Sequence, residues 1–291
     1  MKINSWIIAV RLKTLPASIS PVIIGTSLAY NHPDFSLLPS IIAGLCAILF
    51  QIISNLANDY FDFINGFDNQ NRIGPQRVIL SGLLSAKEIK IGIITTILIS
   101  LILGLYLIWI GGVIIMLIGI ISIIGAISYS AGPYPLSSNG LGDLFVFLFF
   151  GVTAVNGTYY LHTLNFNAAI FVSSIAIGSI ITSILVINNL RDFDTDMQTN
   201  KITFVGIIGR QNSIYYYILL LSSSQIIPFI LFFFYNFSLS VFIPLLLLPE
   251  VIYLTQKLNL AKTGPQFNKI LSRTAIHSLV YSILFSIGVI L

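Results

Sequence analysis

Long apolar stretches alternate with short polar ones along the whole chain. Stretches of about 20 apolar residues are long enough to cross a bilayer as helices. We predict nine of them, at approximately Thr14 to Tyr30, Leu37 to Ala57, Ile89 to Trp109, Gly112 to Tyr129, Leu144 to Leu161, Ala168 to Asn188, Ile214 to Tyr235, Leu239 to Leu258 and Thr274 to Leu291. No Pro/Gly/Ser-rich linker divides residues 1–291, so the pattern predicts a single all-α, polytopic membrane domain.

The composition agrees with this pattern. Hydrophobic residues make up 56% of the chain and charged residues only 8%, whereas a soluble domain carries about a quarter charged residues. A soluble globular protein is therefore excluded. The net charge of +4 gives no reason to expect nucleic-acid binding, because no basic soluble domain is present.

The basic residues are distributed unevenly between the two sides of the predicted helices. All fourteen Lys and Arg residues fall at the N-terminus or in and beside the loops after predicted helices two, six and eight. By the positive-inside rule the N-terminus and these loops are cytoplasmic, and nine spans put the C-terminus outside. We therefore expect a multi-pass protein of the cell (inner) membrane.

Two acidic patches interrupt the apolar pattern on the predicted cytoplasmic side. The first runs from Asn55 to Asp68 and the second from Asn188 to Asp196, and together they hold six of the ten acidic residues of the chain. Carboxylates at this density repel one another unless a cation lies between them. Mg²⁺ prefers oxygen ligands and, once held by carboxylates, also binds phosphate groups. The two patches therefore predict a diphosphate site that is bridged by metal ions.

The spacing within each patch is typical of side chains that act together. Asp59 and Asp62 are three residues apart, so they share a face with Asn55 if the predicted second helix continues. Asp192 and Asp196 are four residues apart at the end of the predicted sixth helix. The alternative, two solvated acidic loops, remains open, although ionisable residues at membrane depth usually mark function.

Three basic residues lie close to these carboxylates and could neutralise the remaining diphosphate oxygens: Arg72, Arg77 and Lys201. Guanidinium groups match the geometry of phosphate. The positive-inside rule explains the same residues without any catalytic purpose, so both interpretations stay open.

A third polar segment, residues 129–143, lies on the same predicted side. Tyr129 could support a cation with its ring, although core or headgroup packing is the commoner role of such an aromatic. Asp143 begins predicted helix five, where an acidic side chain commonly caps a helix. Phosphate-binding loop and zinc motifs are absent from the sequence.

These segments resemble the UbiA-type intramembrane prenyltransferases. The strings that carry the resemblance are Ser54-Asn-Leu-Ala-Asn-Asp-Tyr through Asp68 with Arg72-Ile-Gly-Pro-Gln-Arg77, Gly140-Leu-Gly-Asp143, and Asn188-Asn-Leu-Arg-Asp-Phe-Asp-Thr-Asp196. The resemblance implies about nine transmembrane helices around a central cavity with cytoplasmic cap loops. It also implies Mg²⁺ as the cofactor.

The resemblance implies site residues as well. Catalytic and metal-binding roles fall on Asp59, Asp62, Asp192 and Asp196. Binding of the diphosphate and polar support fall on Asn55, Asn58, Asp68, Arg72, Arg77, Tyr129, Asn188 and Lys201.

Within this family the strings are most similar to the branch of menaquinone biosynthesis. That branch implies transfer of a polyprenyl group from an allylic polyprenyl diphosphate to 1,4-dihydroxy-2-naphthoate, with loss of CO₂, giving demethylmenaquinol and diphosphate. A sister enzyme acting on 4-hydroxybenzoate or another acceptor is the nearest alternative. A secondary transporter is more remote, because transport sites usually lie near the bilayer midplane.

Overall fold

The computed structural model describes residues 2–66 and 76–291, and the regular elements in these two ranges are helices. The α-helices are α1 (Lys2–Val10), α2 (Leu15–Ala29), α3 (Leu37–Ile64), α4 (Ala86–Ser128), α5 (Gly142–Val146), α6 (Ala154–Thr163), α7 (Ala168–Arg191), α8 (Phe193–Gln198), α9 (Phe204–Tyr235), α10 (Leu248–Leu260) and α11 (Gly264–Ile290). A π-helical segment, Phe147–Thr153, joins α5 to α6.

In the described ranges, eight helical segments are long and apolar enough to cross a membrane. One of them, α4, has 43 residues and would extend roughly 65 Å if straight. It is not straight, because Gly112 has non-helical backbone angles (φ 62°, ψ −150°) that favour glycine.

The contacts at the two ends of α4 show that the chain reverses at Gly112. Glu88, near the start, forms an ion pair with Lys2 of α1, and Ser130, just after the end, accepts a hydrogen bond from Asn58. Arg11, directly after α1, also contacts Asn58. Both ends of α4 therefore lie beside the same short helix, and α4 makes two passes. Counting α4 twice, the described ranges contain about nine long helical segments, close to the number that the sequence predicts.

Several helices extend beyond their predicted ends into polar sequence. Helix α3 continues to Ile64 and not only to about Ala57, and α11 begins at Gly264 and not near Thr274. Helix α9 begins at Phe204 but is interrupted at Gly209 (φ 78°, ψ 164°), so its continuous part begins close to the predicted Ile214. The predicted limits stop at the first polar residues, but a helix continues through the polar headgroup region once its backbone is hydrogen bonded.

Helix α7 is the centre of the bundle. It contacts α2, α9, α11 and the π-helical segment, and its small residues allow close approach. Gly178 faces Gly151 so tightly that a Cβ added to Gly151 would lie 2.7 Å from the Cα of Gly178. The hydroxyl of Ser173 donates to the carbonyl of Ala169 within the helix. Small residues, and hydroxyls that hydrogen bond to the backbone of their own helix, are typical of helix contacts in membranes.

Glu250 is the one acidic residue near the middle of an apolar predicted helix, and it has a partner. Both oxygens of Glu250, in α10, accept hydrogen bonds from Arg273, in α11, at 2.5 and 2.7 Å. The guanidinium also lies over the ring of Tyr253. This pair joins α10 to α11.

Candidate active site

The first acidic patch is held together by one buried arginine. Asp59 and Asp62 lie on one face of α3, as the spacing predicts, and both are buried. Arg77 donates from Nη1 to Asp59 and from Nη2 to Asp62, each at 2.6 Å. The backbone N–H of Val78 also donates to Asp59. A guanidinium therefore supplies the positive charge that two neighbouring carboxylates require.

Arg11 brings a second cation to the same carboxylates from the N-terminus. Its Nη2 donates to Asp59 at 2.8 Å and to Asn58 at 3.2 Å. Its backbone is left-handed (φ 55°, ψ 60°), a conformation that is uncommon for residues other than glycine. This bend separates α1 from the start of α2 and points the arginine at α3.

The predicted polar supports connect the elements around this cluster. Asn58 donates to Asp62 and to Ser130. Asn55 donates to the carbonyl of Val10 and to Thr14. Both amides therefore fix the N-terminal segment and the loop after α4 against α3.

The second patch is built on an arginine that the sequence did not single out. Helix α7 ends at Arg191 and α8 begins at Phe193, with Asp192 at the junction (φ −93°, ψ 5°). The N–H of Asp196 donates to the carbonyl of Asp192, so the two residues are one turn apart, as their spacing predicts. The adjacent buried Arg191 donates from Nε and Nη2 to both oxygens of Asp192, at 2.8 and 2.6 Å. Its Nη2 also reaches Asn188.

Lys201 links the two patches. Its backbone N–H donates to the carbonyl of Asp196, and its Nζ lies 3.7 Å from Asp62 of the first patch. The segment that carries it is tied to the loop after α4, because Ile202 donates to the carbonyl of Ser138 and accepts from the N–H of Gly140. All three polar segments therefore meet at one end of the bundle.

Tyr129 lies at the centre of this meeting point. Burial, with the negative charges of Asp143, Asp62 and Asp196, raises the pKa of the Tyr129 hydroxyl, although Arg11 acts in the opposite direction. The phenol therefore stays protonated and can donate a hydrogen bond.

A cavity of about 1160 Å³ lies directly beneath these residues. Its mouth is polar and includes Asn55, Asn58, Tyr129, Asn188, Arg191 and Lys201. Its walls are apolar and aromatic, with Phe50, Phe145, Phe149 and Phe150 among the lining side chains. Two residues of α4 that line it, Leu101 and Ile102, are also exposed on the outside of the bundle. The cavity therefore opens sideways at α4.

Some predicted site residues are not brought together in this structure. Asp68 and Arg72 lie outside the described residues. Within the described ranges, no three acidic, histidine or cysteine side chains are close enough to hold one metal ion.

The donor set nevertheless suits a divalent cation. Carboxylate oxygens are the ligands that Mg²⁺ prefers, and Asp59, Asp62 and Asp192 are buried. Among the described residues, Asp62 forms its hydrogen bonds and ion pairs through Oδ2 alone. Its other oxygen can therefore accept a ligand without breaking a contact.

Sequence reasoning missed three residues of this network: Arg11, Arg191 and Asn268. Asn268, in α11, accepts a hydrogen bond from Nη1 of Arg191. Arg191 could have been noticed, because it is the only base within the second acidic patch. Nothing in the sequence marks Asn268, which reaches the site only because α11 packs against α7.

The profile of the UbiA prenyltransferase family matches residues 18–272, most of the chain. The chain belongs to the UbiA prenyltransferase family. The match covers both acidic patches and Tyr129, whereas Arg11 precedes the matched region of this UbiA-family chain.

Curated relatives of this UbiA-family chain carry a specific name. It is 37% identical over 216 residues to the 1,4-dihydroxy-2-naphthoate octaprenyltransferase of Escherichia coli (strain K12), covering 72% of this chain and 70% of the relative. It is 35% identical over 204 residues to the protein of the same name from Mycobacterium tuberculosis (strain ATCC 25618 / H37Rv), covering 70% of each.

Solved structures share the whole fold. A UbiA homolog from Archaeoglobus fulgidus bound to DMAPP and Mg²⁺ has a TM-score of 0.70 at 15% identity, covering 98% of this chain and 99% of that chain. The apo structure of a UbiA homolog from Aeropyrum pernix K1 has a TM-score of 0.71 at 14% identity, covering 95% and 96%. The predicted all-helical intramembrane fold is confirmed.

Proposed function

We propose that this chain transfers a polyprenyl group from an allylic polyprenyl diphosphate to 1,4-dihydroxy-2-naphthoate. The ring carboxylate is lost as CO₂, and the products are demethylmenaquinol and diphosphate. The family membership and the names of the curated relatives support this reaction. The observation that carries the proposal is the meeting of both acidic patches, through Lys201 and Tyr129, at the polar mouth of an apolar cavity.

The shape of the cavity suits the prenyl substrate. The aromatic walls accept an isoprenoid chain, and the opening beside Leu101 and Ile102 allows a long tail to extend into the lipid. Because the walls are apolar, they also keep water from an allylic cation that water would capture.

The polar mouth suits the diphosphate. Three cationic side chains line it, Arg11, Arg191 and Lys201, and Arg77 adds a fourth positive charge through its contacts with Asp59 and Asp62. These charges stabilise the negative charge that grows on the diphosphate as the C–O bond breaks. Asp59, Asp62, Asp192 and Asp196 would hold Mg²⁺. When bound, Mg²⁺ supplies a Lewis acid for the leaving diphosphate.

A direct assay tests the proposal. The purified protein, in lipid nanodiscs with and without Mg²⁺, is given a polyprenyl diphosphate with either 1,4-dihydroxy-2-naphthoate or 4-hydroxybenzoate, and the extracted lipids are analysed by mass spectrometry. We expect a Mg²⁺-dependent product that contains the naphthalene ring and lacks the carboxylate. A product from 4-hydroxybenzoate alone would show the sister activity, and no product from either would contradict the proposal.

A further inference from the structure

Asp143 differs from the other buried acidic residues of the site. It lies in the first turn of α5 and is 4% exposed, yet in the described part of the chain neither carboxylate oxygen has a hydrogen-bond partner in another residue. It does not cap the helix, since the cap position is Leu141 and no side chain caps that end. A buried carboxylate without a partner is costly, so its presence calls for an explanation.

Asp143 lies beside the mouth of the cavity. A Cβ added to its neighbour Gly142 would be 3.3 Å from the hydroxyl oxygen of Tyr129, so this phenol reaches the start of α5. Val146, three residues after Asp143 in the same helix, lines the cavity. At this helical spacing it shares a face with Asp143. Asp143 is therefore placed at the top of the cavity wall, behind Tyr129.

The charged surroundings of Asp143 set it apart from the diphosphate cluster. Asp59, Asp62 and Asp192 each bind a guanidinium, whereas the charge of Asp143 acts on the phenols of Tyr129 and Tyr216. The charges of Asp62, Asp196 and Arg11 also affect the pKa of Tyr129. A carboxylate that is not neutralised by a cation is the better proton acceptor.

We propose that Asp143 receives the proton of the acceptor's ring hydroxyl, passed through the hydroxyl of Tyr129. This inference rests on the proposed function, because it requires a hydroxylated aromatic acceptor at the mouth of the cavity. Tyr129 lines the cavity and so can contact the acceptor. Hydrogen bonds of this kind are commonly long in a ligand-free site and shorten when substrate binds.

The proton and electron count is complete. The C–O bond of the prenyl diphosphate breaks, and its electron pair stays on the diphosphate. As the hydroxyl proton moves to Tyr129 and the proton of Tyr129 moves to Asp143, the oxygen pushes electrons into the ring, which forms the new C–C bond. Loss of CO₂ leaves its bonding pair in the ring and restores aromaticity, and the proton returns to the oxygen by the same path.

The raised pKa of Tyr129 fits this role. Burial and the nearby carboxylates of Asp143 and Asp62 oppose ionisation of the phenol. The phenol therefore gives its proton to Asp143 as it receives the proton of the acceptor, and it does not persist as phenolate.

The test compares kcat and KM of four proteins between about pH 6 and pH 10: wild type, Asp143→Asn, Tyr129→Phe and the double variant. Proton transfer by a positioned group contributes about 10²- to 10⁴-fold, so each single variant should lose kcat by at least about 100-fold near neutral pH. The KM for the prenyl diphosphate should be unchanged. The double variant should be no slower than the slower single variant, because both residues act in one path.

The pH dependence separates proton transfer from mere support of the fold. A phenol ionises in water near pH 10, so the rate of Asp143→Asn should recover as the acceptor ionises on its own. The control is Asp34→Asn, the same substitution at an exposed residue before α3, which should match wild type at every pH. Thermal unfolding in detergent checks that the variants fold.

Three results would overturn the inference: Asp143→Asn within about twofold of wild type, a loss of kcat that is equal at every pH, or additive losses in the double variant. If Asp143→Asn does not fold, Tyr129→Phe alone must still show recovery at high pH. If the wild type itself does not prenylate the naphthoate, the proposed function is wrong and so is this inference. That result is distinguishable from the other three, because it is seen in the wild type.

Discussion

Asp192 and Asp194 are two residues apart and lie in opposite environments. Asp192 is buried and binds Arg191 through both oxygens, whereas the side chain of Asp194 is 75% exposed and pairs with Arg210 on the surface. Comparing the loss of one negative charge at each position therefore distinguishes an effect on the site from the general effect of removing an acidic residue.

We predict that Asp192→Asn lowers kcat by at least about 100-fold, because it removes a charge from the region that stabilises the leaving diphosphate. Asp194→Asn should retain nearly full activity. The measurement is turnover of both purified variants under saturating substrates, with membrane insertion verified for each. Equal losses in the two variants would contradict a special role for Asp192.

Arg77 is predicted to matter for stability as well as for chemistry. Arg77→Gln leaves Asp59 and Asp62 without their bridging cation in a buried site, and breaking such a pair costs about 3–5 kcal/mol. We expect the lower end, about 3 kcal/mol, because Arg11 and Lys201 remain near these carboxylates.

Equilibrium unfolding in mixed micelles measures this effect against Arg210→Gln as the matched control. Arg210 and Asp194 form an ion pair whose side chains are both largely exposed, so its loss should cost no more than about 1 kcal/mol. If Arg77→Gln proves as stable as the control, the carboxylates of the first patch do not depend on the arginine.

At the scale of helices, the close contact between α7 and the π-helical segment sets the position of the second patch. A Cβ at Gly151 would lie 2.7 Å from the Cα of Gly178 and 3.0 Å from the carbonyl oxygen of Ser174. Both are backbone atoms, so neither can move without shifting α7, which ends at Arg191.

We predict that Gly151→Ala destabilises the bundle by about 1–3 kcal/mol, the usual cost of forcing extra volume into packed structure. The control is Gly44→Ala, since the nearest atom to a Cβ there is 3.9 Å away. Thermal unfolding of both variants in detergent checks the prediction. A Gly151→Ala protein with an unchanged midpoint would mean that α7 can shift at little cost.

The helices themselves could be predicted from the sequence, but their junctions could not. Hydropathy identifies where a chain can lie in lipid, and each of the nine predicted spans exists. It does not show that Arg11 takes a left-handed turn or that α7 stops at Arg191, because a local ion pair and a backbone bend decide those points.

The residues of the site were predictable only in part for the same reason. Charged residues are rare in this apolar chain, so the sequence alone indicated Asp59, Asp62 and Asp192 as site residues. Which cation neutralises each carboxylate depends on how distant segments meet. The pairing of Arg77 with Asp59 and Asp62, for example, follows from the path of the chain back to α3.

At the scale of the whole molecule, the distribution of basic residues predicts an orientation in the membrane. Every described lysine and arginine lies on the side of the acidic patches or within the adjoining helices, and the loops on the other side have none. We predict that the N-terminus and the active-site mouth face the cytoplasm and that the C-terminus lies outside.

Single cysteines can test this orientation, because Cys46 is the only native cysteine. In a Cys46→Ser background, Phe166→Cys marks the loop between α6 and α7, Val113→Cys marks the reversal of α4, and Met197→Cys marks the active-site side. All three native side chains are exposed. In intact cells, a membrane-impermeant thiol reagent should label the first two positions and should reach the third only after the membrane is permeabilised. Labelling of position 197 from outside would invert the topology, and protection of position 113 alongside labelling of 166 would mean that α4 does not make two full passes.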